Sequence, residues 1–551
     1  MKVIATISAP SPEKAVEWTE MAIENGADMA SIRLDTLASH YSPRDSDVWK
    51  RVLQEITGTV GKMSIASVVT GWQGGFFYGT DEERTALLID AMRYGFMGVE
   101  VDVELPVPLI RKIAGEARRL GKTVFYSFRP LMAELPPENI IKVAEDAAAL
   151  GHTKKDPGQS ERKNTGGFFY GAPVKTRRDL DSLMAFLAAA EKWDVPCGLL
   201  PMGDYGFIAS FLSTLGQREY IFTSQTPGGG EISGSTPFRT ETYLKLSPFL
   251  AEQTGMWLTV KDDFSKTKIT GEIAHTREKF VLSRLLISTY RAISEDGLAH
   301  FVHLPLPWDT KDPGTFFDMM VDLEFIGGFV GNSLQRAAVE AVDDLETEAE
   351  NVGAVDTLFV DGDTLVGDNT RHRAYMDLVR EIPLGWEEKT VLIVGSGGEV
   401  NSAIAGLLET ACEVKVAVPD EKEADRIRDV FGKTPLFVEW KKRQRAAENS
   451  DVIVITPMKK RWDEIAVDLL SLTEKQVLIN VRDDPDVFEV EKPRSGLITF
   501  TLEHLFPHQA LHALSLWGMD IDEQSVYHLF IKGRENADKR QTEKKAGGSG
   551  E

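Results

Sequence analysis

KVIATISAPSPEKAVEWTEMAIENGADMASIRLD, residues 2–35, reads as strand, helix, strand. KVIATIS (2–8) is a short apolar run of strand length, and PEKAVEWTEMAIENG (12–26) is an amphipathic helix stopped by Gly26. DMASIRLD (28–35) is the next strand. The unit then recurs. KMSIASVV (62–69), GVEVDVEL (98–105), KTVFYSF (122–128), FFYGAPVK (168–175), CGLLPM (197–202) and EYIFTS (219–224) bring the strand candidates to eight. A helix, ENIIKVAEDAAALG (138–151), lies among them. Eight strand–helix alternations over roughly 250 residues predict a parallel (β/α)8 barrel, with its site at the C-terminal ends of the strands. HTKKDPGQSERKNTGG (152–167) is polar and carries Gly and Pro, so it reads as an inserted mobile loop.

Near Glu252–Trp257 the chain changes unit, and residues 268–380 alternate strand and helix again. TVLIV (390–394) runs into GSGGEV (395–400) and the helical NSAIAGLLETA. Strand, glycine loop and helix in that order open a dinucleotide-binding fold. EVKVAVPD (413–420) and DVIVITP (451–457) are its next strands. The expected architecture is α/β. A barrel covers 1–252 and is followed by a two-lobed α/β unit. Its first lobe covers 265–382 and its Rossmann-type lobe 383–533, with 505–533 returning as helices to the first lobe. The polar tail 534–551 is expected to be disordered.

The chain has 551 residues, with 42% hydrophobic and 27% charged, an ordinary globular composition. It carries 62 basic and 85 acidic residues, a net charge of −23, which opposes direct nucleic-acid binding. Apolar runs fall short of the roughly 20 residues of a membrane helix, and the N-terminal run is too short for a signal-peptide core. An intracellular protein, in cytoplasm or nucleus, is expected. Cys197 and Cys412 are too few for a disulfide framework and suit a reducing compartment.

Two sets of motifs resemble known families. SIRLD (31–35), QGGFFYGTDEER (73–84), VDVEL (101–105), MGDYG (202–206) and STP (235–237) resemble the type I 3-dehydroquinate dehydratases. GAVDTL (353–358), GDNTRHRAYMDL (367–378), GSGGEV (395–400) and LFPHQALHALSLWG (505–518) are similar to the shikimate dehydrogenases. This tandem order occurs in bifunctional plant-type enzymes, in the fungal pentafunctional arom protein and in the fungal quinate repressor.

The resemblance implies a dehydratase site with a Schiff-base Lys, a proton-carrying His and a Glu that holds it. Here Arg129 in YSFRPL stands at the His position, and Gln73 stands at the Glu of the E-G-G motif. Arg cannot act as a base at neutral pH, and Gln cannot ionise. Ser31, Val69 and the pair Ala209–Ser210 replace further substrate-binding residues, and Arg239 replaces a Gln. Arg33 and Ser235 are kept in kind. Lys175 is the Schiff-base candidate, with Lys155 the weaker one. In the second half the implied Lys–Asp pair becomes Gln335 and Arg371. Thr276 and Glu278 stand at the carboxylate-binding S-x-S positions, and Asp356 replaces an Asn. Asn369 and Gln509 are kept. No catalytic set is intact on this reading. Ligand-binding candidates are Arg33, Lys175, Ser235, Arg239, Asn369 and Gln509.

Gly395, Gly397 and Gly398 admit a nucleotide at the helix N-terminus, or equally serve tight packing alone. NAD(P) is the cofactor the resemblance implies. The acids of PDEKE (419–423) oppose a 2′-phosphate, and Asp420 as a ribose acceptor favours NAD. His504, His508 and His512 share one helix face, but ligands on consecutive turns rarely converge on one ion, so no metal is expected. KKRQR (441–445) and KKR (459–461) read as solvated helix faces, with nuclear import the alternative.

The resemblance is nearest to the quinate repressors. It implies an inactive enzyme homologue that senses a quinate- or shikimate-pathway intermediate and restrains a transcription activator by protein contact. The repressors' kinase-like domain has no counterpart in these residues. The alternative is an active 3-dehydroquinate dehydratase or shikimate dehydrogenase of aromatic amino-acid biosynthesis. A scaffold that binds no small molecule is the third reading.

Overall fold

Eight parallel strands form the first unit: β1 (Lys2–Ile7), β2 (Met29–Arg33), β3 (Ser64–Ser67), β4 (Gly98–Asp102), β5 (Thr123–Phe128), β6 (Thr165–Tyr170), β7 (Cys197–Leu199) and β8 (Tyr220–Ser224). Each pairs with its sequence neighbour from β1 to β7, and β8 returns to pair with β1. β7 and β8 lie side by side at the last seam, where a Cβ on Gly198 would fall 2.5 Å from the Tyr220 carbonyl oxygen. The result is a near-closed barrel. The computed structural model describes residues 1–551 except 44, 131–135, 152–164, 194, 204, 226–239, 254–265, 276–285, 287–299, 309–313, 411, 458–466, 483–496, 520–525 and 527–551.

The barrel strands are buried on both faces, as parallel strands covered by helices are, and much of what they bury is apolar. Ile4, Met29, Ile65, Phe125, Phe169, Leu200, Tyr220 and Phe222 form one buried cluster drawn from strands all round the ring. Its rings pack tightly: Phe125 stacks on Phe169 at 5.4 Å, and Phe169 meets Phe222 edge-on at 4.8 Å. Aromatic packing of this kind adds about 0.5–1.5 kcal/mol per pair to area burial. Helices start at built caps. Ser11 accepts from Lys14 N–H before the helix Pro12–Glu24, and Thr80 and Glu83 form a capping box before Asp81–Tyr94.

One expected strand needs correction. β6 starts at Thr165, three residues before the expected Phe168, and ends at Tyr170. Residues 165–167 therefore belong to the barrel and not to the inserted loop. The remainder of that loop, with Lys155, lies outside the described residues. So does the expected disordered tail.

The chain splits by contacts into Met1–Lys266 and Thr267–Glu551. The second unit holds two six-stranded sheets. The first comprises β9 (Lys268–His275), β10 (Phe301–Trp308), β11 (Phe325–Val330), β12 (Asp344–Leu345), β13 (Thr357–Asp361) and β14 (Thr364–Asp368), in the order β10-β9-β11-β13-β14-β12. The second comprises β15 (Thr390–Val394), β16 (Glu413–Ala417), β17 (Leu436–Phe437), β18 (Val452–Ile455), β19 (Val477–Asn480) and β20 (Ile498–Thr501). Its order, β17-β16-β15-β18-β19-β20, is wholly parallel and is the Rossmann order. The switch point lies between β15 and β18, and the loop 395–397 leaves β15 there. The helix Leu502–Leu516 packs back on the first sheet: Phe506 meets Phe329, and Trp517, just past its end, donates to the Leu358 carbonyl at 2.8 Å.

Among the described residues no helix is long and apolar enough to cross a membrane. Cys197 and Cys412 are both buried and free, and burial pushes the Cys197 thiol up to about 11.

Candidate functional sites

The C-terminal mouth of the barrel collects charges from adjacent strands. Arg33, the last residue of β2, is buried and clamps Asp35 in two bonds, Nε to Oδ1 at 2.7 Å and Nη2 to Oδ2 at 2.5 Å. Asp35 also accepts from the backbone N–H groups of Val69 at 3.2 Å and Phe76 at 3.1 Å. That carboxylate therefore pins the loop after β3, on which Gln73 sits. Arg33 Nη1 is buried with no hydrogen-bond partner among the described residues.

Gln73 is fully buried. Its Nε2 donates to Asp102 Oδ2 in a short bond, and its Oε1 accepts from Thr70 Oγ1 at 3.1 Å. Arg84 reaches the same Asp102 oxygen with both Nη atoms at 3.3 Å. Beside them, the Glu104 carboxyl, on an exposed residue, is pushed up, first by partial burial and then by Asp102. Arg129 lies just past β5 and is also buried. It donates through Nη2 to Glu100 of β4 in a short ion pair, and through Nη1 to Ser127 Oγ at 2.9 Å. Both positions where an ionisable acid–base group is implied thus hold side chains committed to internal partners.

Lys175 lies five residues beyond the end of β6 and is exposed. Its backbone N–H donates to Asp179 at the start of the helix Arg177–Ala190. The structure brings Arg33, Gln73 and Arg129 to one end of the barrel in buried networks and leaves Lys175 on the surface. The inward residue of β6 is Phe169, packed among rings. Ser210 donates to the Phe222 carbonyl at 2.6 Å, a structural bond. Ser235 and Arg239 lie outside the described residues, as do Thr276, Glu278 and the 459–461 basic run.

In the second unit a buried carboxylate, Asp356, ties the start of β13 to the helices Thr370–Glu381 and Leu502–Leu516. Its Oδ1 accepts from Thr357 Oγ1 at 2.7 Å, Thr370 N–H at 3.0 Å and Gln509 Nε2 at 3.3 Å, and its Oδ2 accepts from Arg371 N–H at 2.9 Å. Asn369 caps the helix Thr370–Glu381 by accepting from His372 N–H, and its Nδ2 donates to Ala354 O and Ser402 Oγ. Its polar groups are thereby engaged. Arg371 Nε pairs at 3.5 Å with Glu399, which also accepts from Tyr375 O–H at 2.9 Å. All three are buried, and burial raises both the Glu399 carboxyl and the Tyr375 hydroxyl above their ordinary values. Gln335 donates to the Val330 carbonyl at 3.1 Å. The Oε1 atoms of Gln335 and Gln509 are buried without hydrogen-bond partners among the described residues.

The glycine loop can be tested for a dinucleotide. Gly397 has φ +92°. A Cβ there would fall 2.8 Å from Asn332 Oδ1, and one on Gly398 would fall 2.3 Å from Gln335 Oε1. One on Gly395 would fall 1.8 Å from Thr456 Oγ1. The space these glycines leave is filled by protein side chains. Asp420, the expected ribose acceptor, caps the helix Glu421–Phe431 by accepting from Glu423 N–H at 2.9 Å. The residues present do not fit NAD(P).

Sequence reasoning named the replaced positions but missed the pairings made by Asp35, Glu100, Asp102, Glu399 and Glu423. All five lie within quoted segments. Apart from the local Arg33–Asp35 pair, their partners lie on other strands, helices or loops. The three histidines have separate uses. His504 Nδ1 accepts from Thr501 N–H at the helix cap, His508 lies 3.7 Å from Glu381, and His512 pairs with Asp377 at 2.7 Å. In the 441–445 run, Lys442 pairs with Glu439, and Arg443 stacks over Trp440 at 4.3 Å.

The profile of the type I 3-dehydroquinase family matches residues 3–155. A shikimate dehydrogenase (NADP(+)) of Maridesulfovibrio salexigens is 27% identical over 239 residues, 42% of this chain and 86% of that protein. The bifunctional chloroplastic 3-dehydroquinate dehydratase/shikimate dehydrogenase of Arabidopsis thaliana is 21% identical, over 96% of this chain and 84% of its own. The solved dehydroquinate dehydratase and shikimate dehydrogenase of S. pombe AroM aligns over 96% of this chain and 98% of its own, at 17% identity and TM-score 0.37. Residues 3–155 therefore match a type I dehydroquinase domain, and the chain beyond them is similar to shikimate dehydrogenases, in the order of the bifunctional Arabidopsis thaliana enzyme.

Proposed function

We propose that this protein is a catalytically inactive homologue of the shikimate-pathway enzymes that acts as a regulator. Its barrel would sense a quinate- or shikimate-pathway metabolite, and the protein would restrain a transcription activator by direct contact. The observation that carries this reading is the Arg129–Glu100 ion pair at the barrel mouth. A guanidinium locked to a carboxylate neither takes nor gives a proton at neutral pH. The neighbouring Gln73–Asp102 bond and the absence of a lysine from β6 act in the same direction. In the other half Gln335 and Arg371 offer no exchangeable Lys–Asp pair. Glu399 is held by Arg371 and Tyr375.

Arg33 supports a retained ligand. A buried guanidinium nitrogen without a partner suits the carboxylate of a pathway acid. The net charge of −23 favours a protein partner over nucleic acid. Trp72, Phe76 and Tyr78 stand exposed on the loop that Asp35 pins, and rigidly held aromatics are common anchors of protein contacts.

Thermal shifts with quinate, shikimate and 3-dehydroquinate test the sensing claim. At least one should raise Tm in the wild type and not in Arg33→Met, with Arg33→Lys as the charge-retaining control. No shift with any of the three would favour a scaffold that binds no small molecule.

A further inference from the structure

The first turn of the helix Gly398–Leu408 is where a dinucleotide diphosphate would meet backbone N–H groups. Here two N–H groups at that end, of Gly397 just before the helix and of Glu399 within it, face protein. Gly397 N–H donates to Glu423 Oε1 at 2.8 Å, and Glu399 N–H donates to Asn332 Oδ1 at 2.8 Å. Glu423 is 5% exposed and reaches the loop from the first turn of the next helix, Glu421–Phe431.

The same Glu423 oxygen accepts from Arg336 Nη1 at 2.8 Å. Arg336 comes from the short helix Gln335–Ala338 of the first lobe. Its Nη2 donates to the Gly397 carbonyl at 3.1 Å and to Asn401 Oδ1 at 2.7 Å. Asn332, also of the first lobe, donates to the Ser396 carbonyl at 3.3 Å. The loop is therefore gripped by a carboxylate from its own lobe and by an arginine and an asparagine from the other. Glu399 adds a second buried carboxylate in the same turn.

We propose that Glu423 stands in for the dinucleotide phosphate, so that the glycine loop is a latch tying the two lobes through Arg336 and binds neither NAD nor NADP. The chemistry requires a choice. A diphosphate carries negative charge, and it would meet the buried Glu423 carboxylate that already holds Gly397 N–H, where like charges repel strongly. Entry would need Glu423 to leave, which breaks the Gly397 bond and takes from Arg336 its carboxylate partner. The glycines remain necessary because Asn332, Gln335 and Thr456 press against them. This inference does not rest on the regulator reading. A barrel can dehydrate its substrate whether or not the other half binds nucleotide.

The test combines calorimetric titration of the full-length protein with NAD+ and NADP+ and hydrogen exchange over residues 395–401. The expected wild-type result is no saturable heat at millimolar nucleotide and no change in exchange on adding it. Glu423→Ala should speed exchange over 395–401 by about tenfold. Glu423→Gln, which keeps the shape but not the charge, decides the point if the alanine variant does not fold. Saturable submillimolar binding of either nucleotide to the wild type overturns the proposal. So does wild-type exchange in a folded Glu423 variant.

Discussion

Arg129 of the β5 end and Glu100 of β4 form a buried ion pair at the barrel mouth, with Ser127 Oγ taking a second guanidinium N–H. Glu100 lies on β4 and Arg129 directly follows the paired strand β5, so the sheet sets their separation. The position where the resemblance implies a proton carrier has become a strut.

Breaking that strut from one side should be costly. Arg129→Met leaves Glu100 buried and unpaired, and such losses run to about 3–5 kcal/mol. The double change Glu100→Gln with Arg129→Met should recover a large part of that loss. Urea unfolding followed by a probe in the barrel measures both; a single variant as stable as wild type would contradict the ion-pair account.

Returning the implied residues should not return the reaction. Gln73→Glu with Arg129→His supplies an acid and an imidazole, but β6 still carries no lysine and Lys175 stays exposed. Borohydride reduction with 3-dehydroquinate should leave Lys175 unmodified by intact-mass and peptide analysis. A substrate-sized mass increase at Lys175 would reverse this assignment.

The second unit should weaken in acid. His303 is fully buried, with Nδ1 against Thr270 Oγ1 at 2.8 Å, and burial pushes its imidazole down to about 3. The unfolded chain takes up that proton near pH 6.5, and the folded one only near 3. Stability is therefore held above pH 6.5 and lost below it, at about 1.4 kcal/mol per pH unit, or about 2 kcal/mol by pH 5. Glu399 works in the opposite direction. Its raised carboxyl favours the folded state as pH falls through the folded value. His303→Asn should flatten the loss between pH 6.5 and 5, read as Tm against pH.

Asp356 should be the least replaceable residue of its buried network. It accepts from Thr357, Thr370, Arg371 and Gln509, and no water replaces those bonds where it is fully buried. Asp356→Ala orphans several donors at once and should cost about 3 kcal/mol or more. Asp356→Asn, which keeps the shape but turns one acceptor into a donor, should fall between alanine and wild type in denaturant midpoint.

The fold was legible because its signal is local. Apolar runs such as TVLIV (390–394) and the glycine loop after it declare a strand and a turn without reference to distant residues. The replaced positions were legible for the same reason, since Gln73 and Arg129 sit inside short motifs. Their new partners were not. Glu100 is 29 residues from Arg129, and Glu423 is 26 from Gly397. Glu423 read as one acid of PDEKE opposing a phosphate from outside, and the structure turns it inward onto the loop. Lys175 was placed on a strand because the polar insertion before FFYG hid the true start of β6.

The most direct measurement is a dehydratase assay on the purified full-length protein, following enone absorbance as 3-dehydroquinate is consumed. The account predicts no turnover from folded protein, with a related enzyme in the same buffer as the positive control. Turnover at an ordinary enzymatic rate would contradict it, and would place the acid–base chemistry on groups other than Arg129 and Gln73.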